Sequence, residues 1–308
     1  MADYVIRTTN LTRYFGRKRA VYSLDIAVPR GCVFGFLGRN GSGKTTTIRM
    51  LLGLLEPTRG SARVLGHDSA TLSPDVRARI GYLAEGHHVY GWMRVEECGK
   101  FQSRFFSNWN DDLFHAICEY FCLDPKARAK NLSRGERAGL CLALTLAPEP
   151  ELLVLDDPAL GLDPVARRAL LESMIYVTRQ KDRTIFFSSH LLSDVERVAD
   201  RIAILDRGQL RACCSLETFR SRLRHVVLRF AGRPPELPEI PGLLHAVRAE
   251  GEMALTIVNY DGQTEEILAR LGAERIEPVE ISLEDGFISY LGERGERSFF
   301  LHGPEDAS

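Results

Sequence analysis

The chain has 308 residues, 44% of them hydrophobic and 26% charged, a balance that suits a water-soluble globule of roughly two domains. Its net charge of −1 gives no general pull toward nucleic acid or anionic lipid. The apolar stretch LCLALTLA at 140–147 falls far short of the roughly 20 residues that cross a bilayer, and MADYVIRTTN lacks an apolar signal core, so the expected location is cytoplasmic, with membrane contact only through a partner.

Residues 1–30 alternate in strand fashion, with turns at Phe15-Gly16 and Pro29-Arg30-Gly31. CVFGFL at 32–37 is an apolar strand, and TTIRMLLGLL at 46–55 reads as a helix. Residues 89–131 read mainly as helix, broken at Pro125. A helix over 135–147, a buried strand over 152–155, a helix over 164–179, a strand over 184–188, a helix over 191–199 and a strand over 202–205 follow. Such alternation predicts a parallel sheet covered on both faces. Beyond Arg211 the pattern changes. GRPPELPEIPG at 232–242 punctuates a small α+β segment with strands VVLRF, LLHAVRAE, ALTIVNY and IEPVEI and the helix TEEILARL. Its last helix opens with a capping pattern, Ser282 and Asp285, and the tail HGPEDAS is expected to be disordered. None of the seven cysteines forms C-x-x-C, so they read as reduced core thiols, and His87–His88, without a third ligand, reads as a solvated loop.

The chemistry starts at GRNGSGKT, 38–45, which matches G-x-x-x-x-G-K-[ST] between a strand and a helix. Gly38, Asn40, Gly41, Ser42 and Gly43 let backbone N–H groups turn inward around phosphate oxygens, with Thr46 in the first helical turn. Lys44 neutralises terminal phosphate charge, and the Thr45 hydroxyl completes a Mg²⁺ shell. LLVLDD at 152–157 is a buried strand ending in two carboxylates, and Asp156 is placed to support the metal. Nucleotide phosphates and Mg²⁺ are the expected ligands at this loop.

With LSRGE at 132–136 added, the order of motifs over about 4–209 resembles the ATP-binding subunits of ABC transporters, in the branch that drives type-2 exporters. The resemblance implies an α/β fold of the P-loop NTPase kind, with a mostly parallel sheet, an antiparallel β subdomain and a helical subdomain, plus a small C-terminal α+β domain. It places the ATPase domain at 1–215, with its helical part at about 89–140, the accessory domain at 216–298 and the tail at 299–308. Ser133 and Gly135 match the signature, which in this family meets the nucleotide held by a second ATPase subunit. Tyr14 matches the aromatic that stacks on adenine, Asp163 lies in the D-loop match GLDP, and His190 matches the switch histidine that contacts the γ-phosphate. A transmembrane permease is the implied partner, with no nucleic acid.

The chain departs from the family pattern in three places. Asp157 stands where a Glu usually polarises the attacking water, Glu85 stands where a Gln usually senses Mg²⁺, and the signature carries Arg134 and Glu136. Losing one methylene shortens the reach of a base by roughly 1.5 Å, so slow hydrolysis is expected. A weakly active regulatory subunit in a heterodimer, a soluble ABC ATPase outside transport and a P-loop kinase are the alternatives. Near-zero net charge and a single cassette weigh against nucleic-acid work, and LSRGE with His190 weighs against a kinase.

Overall fold

The computed structural model describes residues 3–181, 183–279 and 283–291. Ser282 of the expected cap and the tail at 299–308 lie outside the described residues. The chain divides into two compact units, Met1–Leu210 and Arg211–Ser308.

The first unit opens with β1 (Tyr4–Phe15), β2 (Lys18–Leu24) and β3 (Ala27–Pro29). Then come β4 (Val33–Leu37), α1 (Lys44–Leu51), β5 (Arg59–Val64) and β6 (His67–Asp68). β1 pairs antiparallel with β2, β3 and β5, which forms the antiparallel sheet expected of the alternating N-terminal segment. Thr8 ties it together, because its buried Oγ1 donates to the Leu24 carbonyl and accepts from the Ile26 amide. α1 is shorter than its apolar run suggests. It ends at Leu51, and Gly53 turns into the left-handed region at φ 66°.

α2 (Pro74–Ala78) and β7 (Ile80–Leu83) lead into the helical part, built from α3 (Val95–Ser103), α4 (Asp111–Tyr120) and α5 (Arg134–Leu146). Val95, Cys98, Phe114, Cys118, Leu140 and Ala143 form its core. Gly139 allows α5 to pack tightly, since a Cβ there would collide with the Phe121 ring.

β8 (Leu152–Leu155), α6 (Pro164–Lys181), β9 (Thr184–Ser189), α7 (Leu192–Val198) and β10 (Arg201–Asp206) complete the α/β layer. Five strands run parallel in the order β10-β4-β9-β8-β7. β4, β8 and β9 are buried along their whole length, which is why they read as unbroken apolar runs, and Phe34 stacks on Phe186 across two of them. Register aligns Leu37 with Ser189 and Leu155 with Phe187, so the segments that follow β4, β8 and β9 emerge side by side at the carboxyl edge, where open α/β sheets bind ligands.

The unit boundary falls inside β11 (Gln209–Ser215). The second unit continues with α8 (Leu216–Arg222), β12 (Leu223–Arg229), β13 (Leu243–Ala249), β14 (Glu252–Val258), α9 (Gly262–Ala269), β15 (Arg275–Val279) and α10 (Leu283–Leu291). Its antiparallel sheet has the order β13-β14-β12-β15, over a core that includes Val226, Leu228, Met253, Leu255 and Leu268. Among the described residues no helix is long and apolar enough to cross a membrane.

Candidate nucleotide site

Between β4 and α1 the chain makes a tight loop with Gly41 at φ 80° and Gly43 at φ 112°. Only glycine suits position 43, because a Cβ there would also run into the Ala20 carbonyl. Lys44 folds back over the loop and donates to the Gly38 carbonyl at 2.7 Å and to that of Arg39 at 3.4 Å. Burial pushes its ammonium pKa down, while Asp157, Asp156 and Glu85 pull it up. A buried cation whose hydrogen bonds are made to main-chain carbonyls is suited to receive an anion. The Ser42 hydroxyl of the same loop is buried without a hydrogen-bond partner, though Ser42 does not line the cavity above the loop.

A cavity of about 460 Å³ opens over this loop. Its walls include Asn40, Gly41, Gly43, Lys44, Thr45, Thr46, Glu85, Asp156 and Asp157, so residues remote in sequence share one surface. Thr45 Oγ1 lies 3.2 Å from Asp156 Oδ1, and Ser188 Oγ donates to the same oxygen at 2.8 Å. Among the described residues no group of three His, Cys, Asp or Glu is placed to hold a metal by itself. The Thr45–Asp156 pair fits Mg²⁺, which takes few protein oxygens and fills its shell with water and substrate phosphate.

Asp157 sits in the left-handed region at φ 45°, an uncommon backbone for a non-glycine residue. Its amide donates to Ser188 Oγ at 2.9 Å, and its Oδ2 accepts from His190 Nδ1 at 2.8 Å. The carboxylate accepts only, so Nδ1 carries the proton in this contact.

Other expected residues lie elsewhere. Phe15, not Tyr14, lines the cavity beside Lys18 and Ala20, and Arg13 stacks over the Phe15 ring at 4.8 Å. Neighbouring strand residues face opposite ways, and the β1–β2 register shifts between Arg13 and Tyr14, so motif spacing misses the facing aromatic by one position. Ser133 and Gly135 do not line the cavity. Ser133 caps α5 by accepting from the Glu136 amide, and Glu136 accepts in return from the Ser133 amide. A Cβ at Gly135 would crowd Ala166 at the start of α6, and Arg134 reaches the Gly161 carbonyl. Asp163 caps α6 through the amides of Val165 and Ala166, which hold its carboxyl below the usual range.

The expectation of a solvated loop at His87–His88 is corrected for His87. It is buried and donates from Nε2 to the Pro158 carbonyl at 2.8 Å. Nothing in the sequence signals this contact, because the acceptor is a backbone atom that only the fold brings near.

The ABC transporter family matches residues 21–160. The bacitracin transport ATP-binding protein BcrA of Bacillus licheniformis is 30% identical over 94% of this chain and 97% of its own length. The daunorubicin/doxorubicin resistance ATP-binding protein DrrA of Streptomyces peucetius is 34% identical over 73% of this chain and 69% of its own. A solved ATP-binding subunit of an ABC transporter superposes with a TM-score of 0.64 at 26% identity, covering 70% of this chain and 92% of that one. The loop, the carboxylate strand and these similarities agree, and the chain belongs to the ATP-binding subunits of ABC transporters.

Proposed function

We propose that the chain binds MgATP between its own phosphate loop and the Ser133–Gly135 corner of a second copy, and that closure of the pair drives a separate membrane permease outward. The observation that carries this reading is the separation of Ser133 and Gly135 from a cavity that otherwise gathers the phosphate-binding residues. An exposed capping hydroxyl at the start of a 13-residue helix is a ready phosphate donor once another subunit presents it. The pairing is then two-fold, with each chain giving one wall to each site.

In this reading Phe15 gives the adenine a flat face, Lys44 and the loop amides hold the phosphates, and Thr45 and Asp156 hold Mg²⁺, which withdraws charge from the transferring phosphoryl group. Glu85 faces the same space, near enough to Lys44 to favour its charged form. Asp157 orients the attacking water, and His190 holds that carboxylate through Nδ1; as an imidazolium it also donates from Nε2 to a phosphate oxygen in the closed pair.

The permease side is the groove lined by Val89, Tyr90, Met93, Phe101, Gln102 and Leu144. Tyr90, Trp92, Phe101 and Phe105 make a chain of exposed ring contacts at its rim, the kind of apolar patch that marks a partner surface. Outward transport of an antibiotic-like compound rests on the names of the relatives and on the resemblance to exporter subunits. The test is co-purification from membranes with a multi-spanning protein. A Trp92→Glu, Phe105→Glu variant that keeps its ATP affinity loses that partner, and retention of the partner contradicts the assignment.

A second reading is favoured by Asp157, whose carboxylate is short and committed to His190. Here the chain turns over slowly and serves beside a faster subunit. Steady-state ATPase assays of the chain alone and with its partner separate the two, because this reading requires activity that resists Asp157→Asn in the complex.

A further inference from the structure

We infer that His87 is a positioning residue for Asp157, tying the loop that follows β7 to the peptide that carries the carboxylate. The inference rests on the reading of Asp157 as the residue that orients water.

Asp157 combines two unfavourable features. Its φ is positive without glycine's freedom, and it precedes Pro158, whose ring disfavours helical conformations in the residue before it. Such a backbone persists only where its surroundings over-determine it. Three hydrogen bonds hold the backbone of Asp157 and Pro158. Ser188 Oγ accepts from the Asp157 amide, the Asp157 carbonyl accepts from the Leu160 amide, and the Pro158 carbonyl accepts from His87 Nε2. Among these, His87 alone comes from outside the sheet edge and the turn itself.

The approach of His87 is also built. Gly86 and His87 both take positive φ, 88° and 50°, which reverses the chain and turns the imidazole inward. The same side chain lines a cleft of about 240 Å³ together with His88, Val89, Gln102, Phe106 and Leu144. The charged and titratable neighbours that act on His87 are Arg137 and His88. A displacement of the loop by an occupant of the cleft therefore reaches the carboxylate through one hydrogen bond.

The test uses side chains of graded reach in the full chain. His87→Gln places an amide N–H as many bonds from Cβ as Nε2 is. His87→Asn tolerates the left-handed backbone but falls one bond short. His87→Asn is expected to lower kcat about tenfold with the KM for MgATP held within about twofold, since about 1 Å of misplacement is enough for losses of this size. His87→Gln is expected to restore most of the turnover. In an Asp157→Asn background, His87→Asn adds no further loss, because both act on one group. Wild-type kcat in His87→Asn, a rise in KM alone, or Gln no better than Asn overturns the inference. Wild-type turnover in Asp157→Asn alone overturns the reading beneath it instead.

Discussion

Burial pushes the Lys44 ammonium pKa down, and the three carboxylates that share its cavity wall pull it partly back up. In the proposed site its ammonium would exchange the Gly38 and Arg39 carbonyls for a phosphate. Lys44→Met is expected to weaken MgATP binding about 10- to 100-fold, the size of a lost charged hydrogen bond, in a fluorescent-nucleotide titration; unchanged affinity contradicts the assignment. His87 gives a pH signature. Burial pushes its pKa below the ordinary value, more than the Pro158 carbonyl pulls it up, and Arg137 and His88 push the same way as burial. With the folded value depressed, the unfolded chain binds more protons between the two pKa values, so stability falls as pH drops below about 6.5. His87→Gln removes this contribution and flattens the change in melting temperature between pH 7.5 and 5.5; an equal slope in both proteins contradicts it. At this scale the sequence made the phosphate loop legible, because loop, lysine and hydroxyl are contiguous. It left Phe15 and His87 obscure, because one depends on a register shift and the other on a backbone acceptor far away in sequence.

In the proposed shared site, the two halves differ because of the elements that carry them. α1 starts inside the cavity wall, whereas α5 starts on a surface away from it, already capped by its own Ser133. Ser133→Ala therefore acts twice. It is expected to cost about 1 kcal/mol of stability as a lost cap, read by denaturant unfolding, and also to lower ATP turnover. Glu136→Ala removes the acceptor for the Ser133 amide but leaves the Ser133 hydroxyl in place, and so tests the stability part alone. Phe114 anchors the helical part, buried against Trp109 and the α3 glycine Gly99. Phe114→Ala is expected to lose about 3–5 kcal/mol. The sequence showed these helices through their apolar spacing, but it overran α1, since the apolar run continues past the turn at Gly53.

The whole molecule consists of two units, each with its own core, and the first carries the nucleotide site. Calorimetry is expected to resolve two transitions, with MgATP raising only that of the first unit. At 100 times Kd the gain is about 2.7 kcal/mol; an equal rise in both transitions contradicts it. In the proposed pair one site needs two subunits, and mixing two variants measures that. Lys44→Ala and Ser133→Ala chains each spoil both sites of their own pair. A mixed pair keeps one whole site, formed by the wild-type Lys44 of one chain and the wild-type Ser133 of the other. Equal mixing is expected to restore ATP turnover to about a quarter of the unmutated level under random pairing. Activity no greater than the average of the two separate variants would contradict the account.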